Sequence, residues 1–586
     1  MTSSSPGSQP LAPRPFAVLA TVLPATFMQL VDISIVNVAI PSLQRDIGAT
    51  YAQIQLVLAG YQLAFACVLI TAARLGDIHG RKRLFLIGMA GFTATSALCG
   101  AAPTANILVA GRILQGLMSG IMFPQVISVI QVAFAPDERG KAFGIYGATI
   151  GVATIAGPLL GGVLIALDPA GLDWRSVFYV NVPIGLAAMA AALRHLPESR
   201  SPEGRRLDLA GAALATVGLF LLVFPLTEGR ESGWPPWIFA MLSGAAVALG
   251  LFAVLQHRKT RRGDSPLVYT TLFRDRAFRR GIVLAAIFSS TLPAFFLALT
   301  LYLQIGFAFS PLHAGLTTLP FSIGSALVSL NSNRMVKRYG LRALQLGCLL
   351  MVIALAGMSV AVGVLGTAMT SWHLVGLLLL AGGGLGLVMA PMTTTILSGI
   401  QGREVGSASG VLSTGQQVGG ALGVTVIGVV FFSLLPHQAD LAVARVMPEL
   451  EHRLAAAGVA APAVAAEQFA ACFAARSRSP DPSARPPACR PLADRAGSDP
   501  VAGYAMPRAT RESFAGAFHG SLLYPIAGLA LCFLLTFWLP RPTRTGDEAA
   551  GRPRSPPREP TRQRRRPPRP RRSGRPMPGR PGVRTR

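Results

Sequence analysis

The sequence predicts an all-α protein that crosses a lipid bilayer about fourteen times, and three observations predict it. First, 51% of the 586 residues are hydrophobic and only 13% are charged. A soluble globular chain carries about 25% charge, and lipid-facing surface cannot carry it. Second, apolar runs long enough to span a membrane recur near 16–40, 52–72, 84–101, 105–134, 142–166, 176–193, 208–227, 237–256, 281–303, 313–333, 343–365, 372–396, 405–435 and 516–539. Third, Lys and Arg crowd into alternate loops. One set of short loops, including "ARLGDIHGRKR", "APDERGK" and "RMVKRYGLR", holds 23 of them, and the short loops of the other set hold only Arg45, Arg175 and Arg230.

That bias places the basic loops in the cytoplasm, and an even number of spans puts both termini there too. The expected location is a bacterial inner (cytoplasmic) membrane. Residues 1–15 are a Ser/Pro-rich tail, and the first run has no small-residue cleavage site, so it reads as a retained helix. The net charge of +27 could suggest nucleic acid, but its distribution argues otherwise. About half of it lies in the tail 541–586, with sixteen Arg against three acids. That tail is too rich in Arg and Pro to fold and is suited to the anionic inner leaflet; nucleic-acid binding through it is the lesser expectation.

The pattern divides the chain into a six-helix bundle at 16–196, two inserted helices with their loops at 197–277, five helices at 278–435, a long external segment at 436–515 and a last helix at 516–540. The external segment begins Ala-rich and amphipathic, then becomes too rich in Pro, Arg and Asp to pack a core. It contains Cys472 and Cys489, which could pair in an oxidising compartment. The other cysteines, Cys67, Cys99, Cys348 and Cys532, lie in apolar runs as packing residues. Two internal correspondences suggest repeated halves. Gly80 and Gly340 each sit in a basic loop between two helices. The Gly-rich "GVATIAGPLLGGVL" (151–164) matches "GQQVGGALGVTVIG" (415–428). Parallel halves around a midplane site are a transporter plan.

The motifs, in order along these helices, resemble the major facilitator superfamily, and within it the fourteen-helix drug:proton antiporters of EmrB/QacA type. "VDISIVNVAIP" is similar to that family's first-helix motif through Asp32, Asn37 and Pro41. "ARLGDIHGRKR" resembles the superfamily's cytoplasmic loop through Leu75, Asp77, Gly80, Arg81 and Lys82, with Ala73 and Ile78 departing from it. "GRILQGLMSG" matches the fourth-helix pattern through Arg112, Gln115 and Gly116. "GVATIAGPLLGG" matches the antiporter motif through Gly151, Gly157, Pro158, Gly161 and Gly162. "WRSVFYVNVPIG" resembles the start of the sixth helix. The resemblance covers roughly 16–435 and 513–540. It implies the major facilitator fold, two six-helix bundles plus two inserted helices, and proton-driven drug efflux.

Each motif also has a reading from its residues. The glycines four apart let two helices approach closely, either as plain packing or as a sealed, flexing seam. The basics of the loop are topology signals, while Asp77 is either part of that polar loop or a gate that pairs with a helix N-terminus or an Arg. Arg112, the only basic residue well inside an apolar run, either snorkels to an interface or faces the cavity and takes part in proton movement. Asp32, the only acid deep in a run, is either a structural carboxylate or the group that loads and releases the proton. An Asp at mid-membrane costs about 2.5–3.5 kcal/mol on insertion scales. With Asn37 it is expected to flank a cavity-lining face, next to an apolar pocket of Phe27, Met28 and Tyr61. The expected cargo is a hydrophobic, cationic or zwitterionic drug or metabolite. No ATP-binding loop, nucleophile–base pair or metal-ligand cluster is visible, so the expectation is a secondary transporter rather than an enzyme, with protons as coupling ion and no cofactor or metal. The alternatives are a proton-coupled importer of a small solute, or a membrane-anchored binding protein acting through its tail.

Overall fold

The computed structural model describes residues 14–539 except 136–137, 201–206, 230–231, 401–403, 460, 479–485 and 491–499. Residues 1–13 and the Arg/Pro-rich tail lie outside them. The first half contains α1 (Pro15–Ile47), α2 (Tyr51–His79), α3 (Arg81–Gly100), α4 (Ala105–Ala133), α5 (Arg139–Leu167), the one-turn α6 (Ser176–Tyr179) and α7 (Asn181–His195). Then come α8 (Leu209–Glu228) and α9 (Pro236–Arg262). The second half contains α10 (Arg276–Thr300), α11 (Pro311–Tyr339), α12 (Leu341–Leu365), α13 (Ser371–Leu397), α14 (Val405–Ala456) and, after α15 (Pro462–Arg478) and α16 (Met506–Ser521), the last helix α17 (Leu523–Thr536).

Among the described residues twelve helices are long and apolar enough to cross a membrane, thirteen if α5, bent by 42°, counts as one span. The run expected at 313–333 is α11. Its 29 residues suffice in length, but Thr317, Thr318, Ser322 and Ser325 lower its hydropathy. Small hydroxyl residues let a helix pack closely on other helices, and α11 lies against α5 and α13.

The packing shows the internal repeat. In the first half α2 packs on α4, α3 on α4 and α7, and α1 on α5. In the second, α11 packs on α13, α12 on α13 and α17, and α10 on α14. The halves meet by the same exchange: α5 crosses to α11 and α13, and α14 crosses to α2 and α4. Gly80 (φ 106°) and Gly340 (φ 56°) occupy equivalent turns, where a left-handed backbone favours glycine.

The inserted pair lies outside this frame, with α8 against α2 and α14. Asp208 anchors it. Its carboxylate caps α8 through the Gly211 N–H (2.7 Å) and accepts from Gln256 Nε2 (2.8 Å) and Lys259 Nζ (2.7 Å) of α9. Burial pushes this carboxyl up, but Lys259, the Gly211 amide and Gln256 more than offset that and hold it below the usual carboxylate range. The anchor is therefore complete at neutral pH and is lost only as pH falls through that lowered value. The linker after α9 is tied down too. Gln256 accepts from the Val268 N–H, and Leu267 and Val268 pack on Cys67 and Ile70 of α2.

The segment 436–515 differs from its expected form. The 52-residue α14 continues to Ala456, and α15 folds back against it. Val446, Leu450, Phe469, Phe473 and Ala509 make a separate apolar core, and Cys472 and Cys489 are joined as a disulfide. Arg478 pairs with Asp440 and Arg508 with Glu512 at its surface. The Ala-rich stretch carries an apolar stripe at helical spacing, and burying it outweighs the hydrogen bonds missing at Pro436 and Pro448. Of the Pro/Arg-rich part, 479–485 and 491–499 lie outside the described residues.

Candidate functional site

Asp32 sits at the centre of the first half and is fully buried. Arg112 Nη1 donates to its Oδ2 at 2.5 Å. Gln115 Nε2 (3.0 Å) and Asn181 Nδ2 (3.1 Å) donate to its Oδ1. Three helices thus meet on one carboxylate and a fourth joins through Asn181. α1 supplies Asp32, α4 supplies Arg112 and Gln115 one turn apart, α7 supplies Asn181, and Ser96 of α3 accepts from Asn181 at 3.1 Å. The guanidinium is satisfied as well. Nη1 also reaches Gln115 Oε1 (2.8 Å), Nε donates to the Val57 carbonyl (3.2 Å), and the Tyr61 ring lies 4.3 Å below it. A buried charge persists only when paired and hydrogen-bonded in this way. Gly116 lets α4 close on α2, since a Cβ there would lie 2.2 Å from the Tyr61 carbonyl oxygen. Arg112 therefore does not snorkel.

Two sequence expectations need correction. Asp32 does not line the cavity, and it does not share a face with Asn37. The cavity, about 620 Å³, lies between the halves and takes Gln29, Leu30, Ile33 and Ser34 from α1. At about 100° per residue, Asp32 points roughly 200° away from Leu30 and from Ser34, into the bundle. Asn37 continues the cavity face, where it is exposed and donates back to the Ile33 carbonyl (3.4 Å). The expected pocket of Phe27, Met28 and Tyr61 is absent too. Met28 and Tyr61 are buried, Tyr61 donating to Ser119 Oγ (3.0 Å), and Phe27 packs among core residues. Instead Phe65, Phe123, Tyr146, Phe288, Phe296 and Met389 line the cavity, with amides from Gln29, Gln62, Gln416 and Gln417. No Asp, Glu, Lys or Arg is among its described lining residues.

The antiporter-motif glycines of α5 divide between two neighbours. Gly157 and Gly161 face α1, where a Cβ would lie 1.8 Å from Ser34 Oγ and 2.9 Å from Ile35 Cγ1. Gly151 faces α11, where a Cβ would lie 2.5 Å from Ser325 Oγ, and its carbonyl accepts from Ser322 (2.7 Å). Gly162 is different, for its Cβ would meet Leu312 at an ordinary 3.6 Å. Pro158, without an N–H, sits in the bent stretch of α5. One helix thus seals the first half to itself and to the second.

The end that carries the basic loops is closed. Asp77 belongs to α2 rather than to a loop, is fully buried, and takes Arg81 Nη2 at 2.7 Å. It is thus a second fully buried acid, in the last turn of α2, where the sequence placed a loop. Its Oδ2 lies where a Cβ on Gly406, in the first turn of α14, would come within 2.0 Å. An anion there is favoured by the helix dipole. Arg81 is therefore more than a topology signal, and so is Lys82, whose Nζ caps α7 at the Leu193 carbonyl (2.9 Å). Ser128 of α4 donates to Ser409 of α14 (3.0 Å), and Gln131 of α4 donates to the Leu397 carbonyl of α13 (3.0 Å). No group of three metal-ligating side chains occurs among the described residues.

Residues 22–424 match the Major Facilitator Superfamily. The chain belongs to that superfamily. It is 38% identical over 546 residues to a probable actinorhodin transporter of Streptomyces coelicolor, covering 91% of this chain and 93% of the relative. It is 34% identical to the tetracenomycin C resistance and export protein of Streptomyces glaucescens, covering 72% and 76%. It is 32% identical to the multidrug resistance protein Stp of Mycobacterium tuberculosis, covering 89% and 91%. Among solved structures, a human organic anion transporter superposes with TM-score 0.52 at 14% identity, over 88% of this chain and 100% of that one. A proton:xylose symporter gives 0.50 at 14%, over 71% and 88%. At such identity these two speak for the fold alone. As a major facilitator chain it places further candidate residues in the knot and the cavity that the sequence reading passed over: Asn181, Ser96, and the glutamines at 29, 62, 416 and 417. Each is a polar side chain inside an apolar run, and that signal was available.

Proposed function

We propose that this transporter exports a hydrophobic, uncharged, hydrogen-bonding small molecule in exchange for protons. The cavity between the halves carries the reading, because its walls are apolar and aromatic and its polar groups are uncharged amides and hydroxyls. Glutamine offers both a donor and an acceptor and suits carbonyl and hydroxyl groups. A cationic cargo, expected from Asp32, would find no counter-charge on those walls, and Asp32 is already paired with Arg112. The export direction is supported by the names of two of those relatives, a resistance and export protein and a multidrug resistance protein. The basic loops support a bacterial inner membrane with both termini cytoplasmic.

The coupling follows from the ion pair. Loading a proton on Asp32 removes its charge, releases Arg112, and loosens α1 from α4 and α7. Release of the proton restores the four-helix knot. Rocking of the halves would expose Asp32 to one side and then the other. Protons are the coupling ion in this reading and no other cofactor takes part.

The test is a susceptibility panel in an efflux-deficient host, with and without the gene, using paired neutral and cationic aromatic compounds. Protection is expected against neutral members. Gln62→Leu with Gln416→Leu should raise the KM for them. Two lost hydrogen bonds at about 1 kcal/mol each correspond to about thirtyfold. Protection confined to cationic compounds would overturn the cargo assignment.

A further inference from the structure

Three arginines are fully buried among the described residues, Arg74, Arg81 and Arg112. Arg81 and Arg112 each bind a carboxylate. Arg74 binds none, and its Nε, Nη1 and Nη2 have no hydrogen-bond partner. It rests on the Tyr269 ring, whose centroid lies 5.4 Å from the guanidinium carbon, and it is near enough to Asp77 for the two charges to attract. A buried charge without hydrogen bonds is costly, so a chain that keeps one has a use for it in another state.

The surroundings suggest that state. Asp77 lies three residues further along α2, a spacing at which side chains of one helix meet. Arg81 occupies its Oδ1, and Oδ2 has no hydrogen-bond partner. A guanidinium without a hydrogen-bond partner and a carboxylate oxygen held only by the first turn of α14 therefore travel together on one helix. Tyr269 lies across the seam. Its N–H donates to Ser407 Oγ of α14 (3.2 Å), Thr271 donates to Glu404 (2.5 Å), and the chain then leads into α10 of the second half. When the halves part at this end, Gly406 leaves Asp77, while Arg74 and Asp77 stay within reach of each other on α2.

We propose that Arg74 is the switching cation of this gate, resting on Tyr269 while the basic end is shut and turning to Asp77 Oδ2 when it opens. The inference rests on the alternating-access reading above. Arg74 is a positioning residue that weakens the shut state, because only the open state satisfies its donors. It also gives the inserted pair a task, since α8 and α9 lead into the linker that carries Tyr269.

The reporter is Ser128→Cys, at the seam opposite Ser409, in the full chain in membranes without cargo. The native thiols Cys67, Cys99, Cys348 and Cys532 are buried, and labelling is read against the protein lacking the reporter. Arg74→Met should keep the seam shut, slowing maleimide labelling by about fivefold without lowering the thermal midpoint, and Arg74→Lys should bring labelling back toward the original rate. Labelling of Arg74→Met at the original rate or faster would overturn the proposal, because the guanidinium would then merely fill space or hold the seam together. Failure of the transport reading would look different, with no cargo movement in any variant while labelling still follows residue 74.

Discussion

Arg112→Ala is expected to abolish efflux and to lower stability by about 3–5 kcal/mol, the cost of stranding one partner of a buried ion pair. The substitution removes the donors to Asp32, Gln115 and the Val57 carbonyl together. The Asp32 carboxylate would keep Gln115 and Asn181 but lose its only opposite charge. Arg112→Lys should rescue little, since an ammonium cannot reach three acceptors in the guanidinium's planar geometry. Pairing Arg112→Gln with Asp32→Asn removes both charges and leaves amides able to bond to each other. That double variant should regain most of the thermal midpoint lost in Arg112→Ala, measured in detergent, and still fail to pump. Recovery of the midpoint without recovery of transport separates the structural part of the pair from its coupling part.

Gly157→Ala should be the most damaging of the single-methyl additions in α5, and Gly162→Ala the mildest. At Gly157 the new Cβ would lie 1.8 Å from Ser34 Oγ and 3.0 Å from the Val31 carbonyl oxygen. A serine rotamer change relieves only the first contact, so the helices must move apart. Overpacking of this kind costs about 1–3 kcal/mol, and it falls on the α1–α5 seam beside the cavity. At Gly162 the Cβ meets Leu312 at 3.6 Å, and alanine favours a helix over glycine by about 1 kcal/mol. Gly162→Ala should therefore leave the thermal midpoint equal or higher, with efflux intact. Equal damage at both positions would mean that the motif is read as a whole rather than through its contacts.

The helices, their alternating loops and the repeat were legible because lipid enforces them. A span must be long and apolar, and a basic loop stays where it is made. The residues of the knot were legible for the same reason, since Asp32 and Arg112 stand out against apolar runs. Their pairing was not, because it depends on which way α1 and α4 turn. A difference of two residues separates the Asp32 face from the Ser34 face, and the cavity belongs to the latter. The cavity itself escaped notice because glutamine and phenylalanine are unremarkable one at a time. Arg74 was masked by its neighbours, counted among loop arginines although α2 carries it into the interior. The outer helical layer of α14 and α15 was hidden by its prolines, whose local cost is outweighed by a stripe of contacts far apart in sequence.

The central claim is that proton coupling runs through Asp32 rather than through the cavity wall. It is tested most directly by cargo uptake into inverted membrane vesicles carrying Asp32→Asn, alone and with Arg112→Gln to preserve the fold. Cargo exchange at equal pH on both sides serves as the control for an intact cavity. The prediction is that exchange persists while an imposed pH gradient no longer drives accumulation. Accumulation at the original rate, with the original pH dependence, would contradict it and reduce Asp32 to a structural carboxylate.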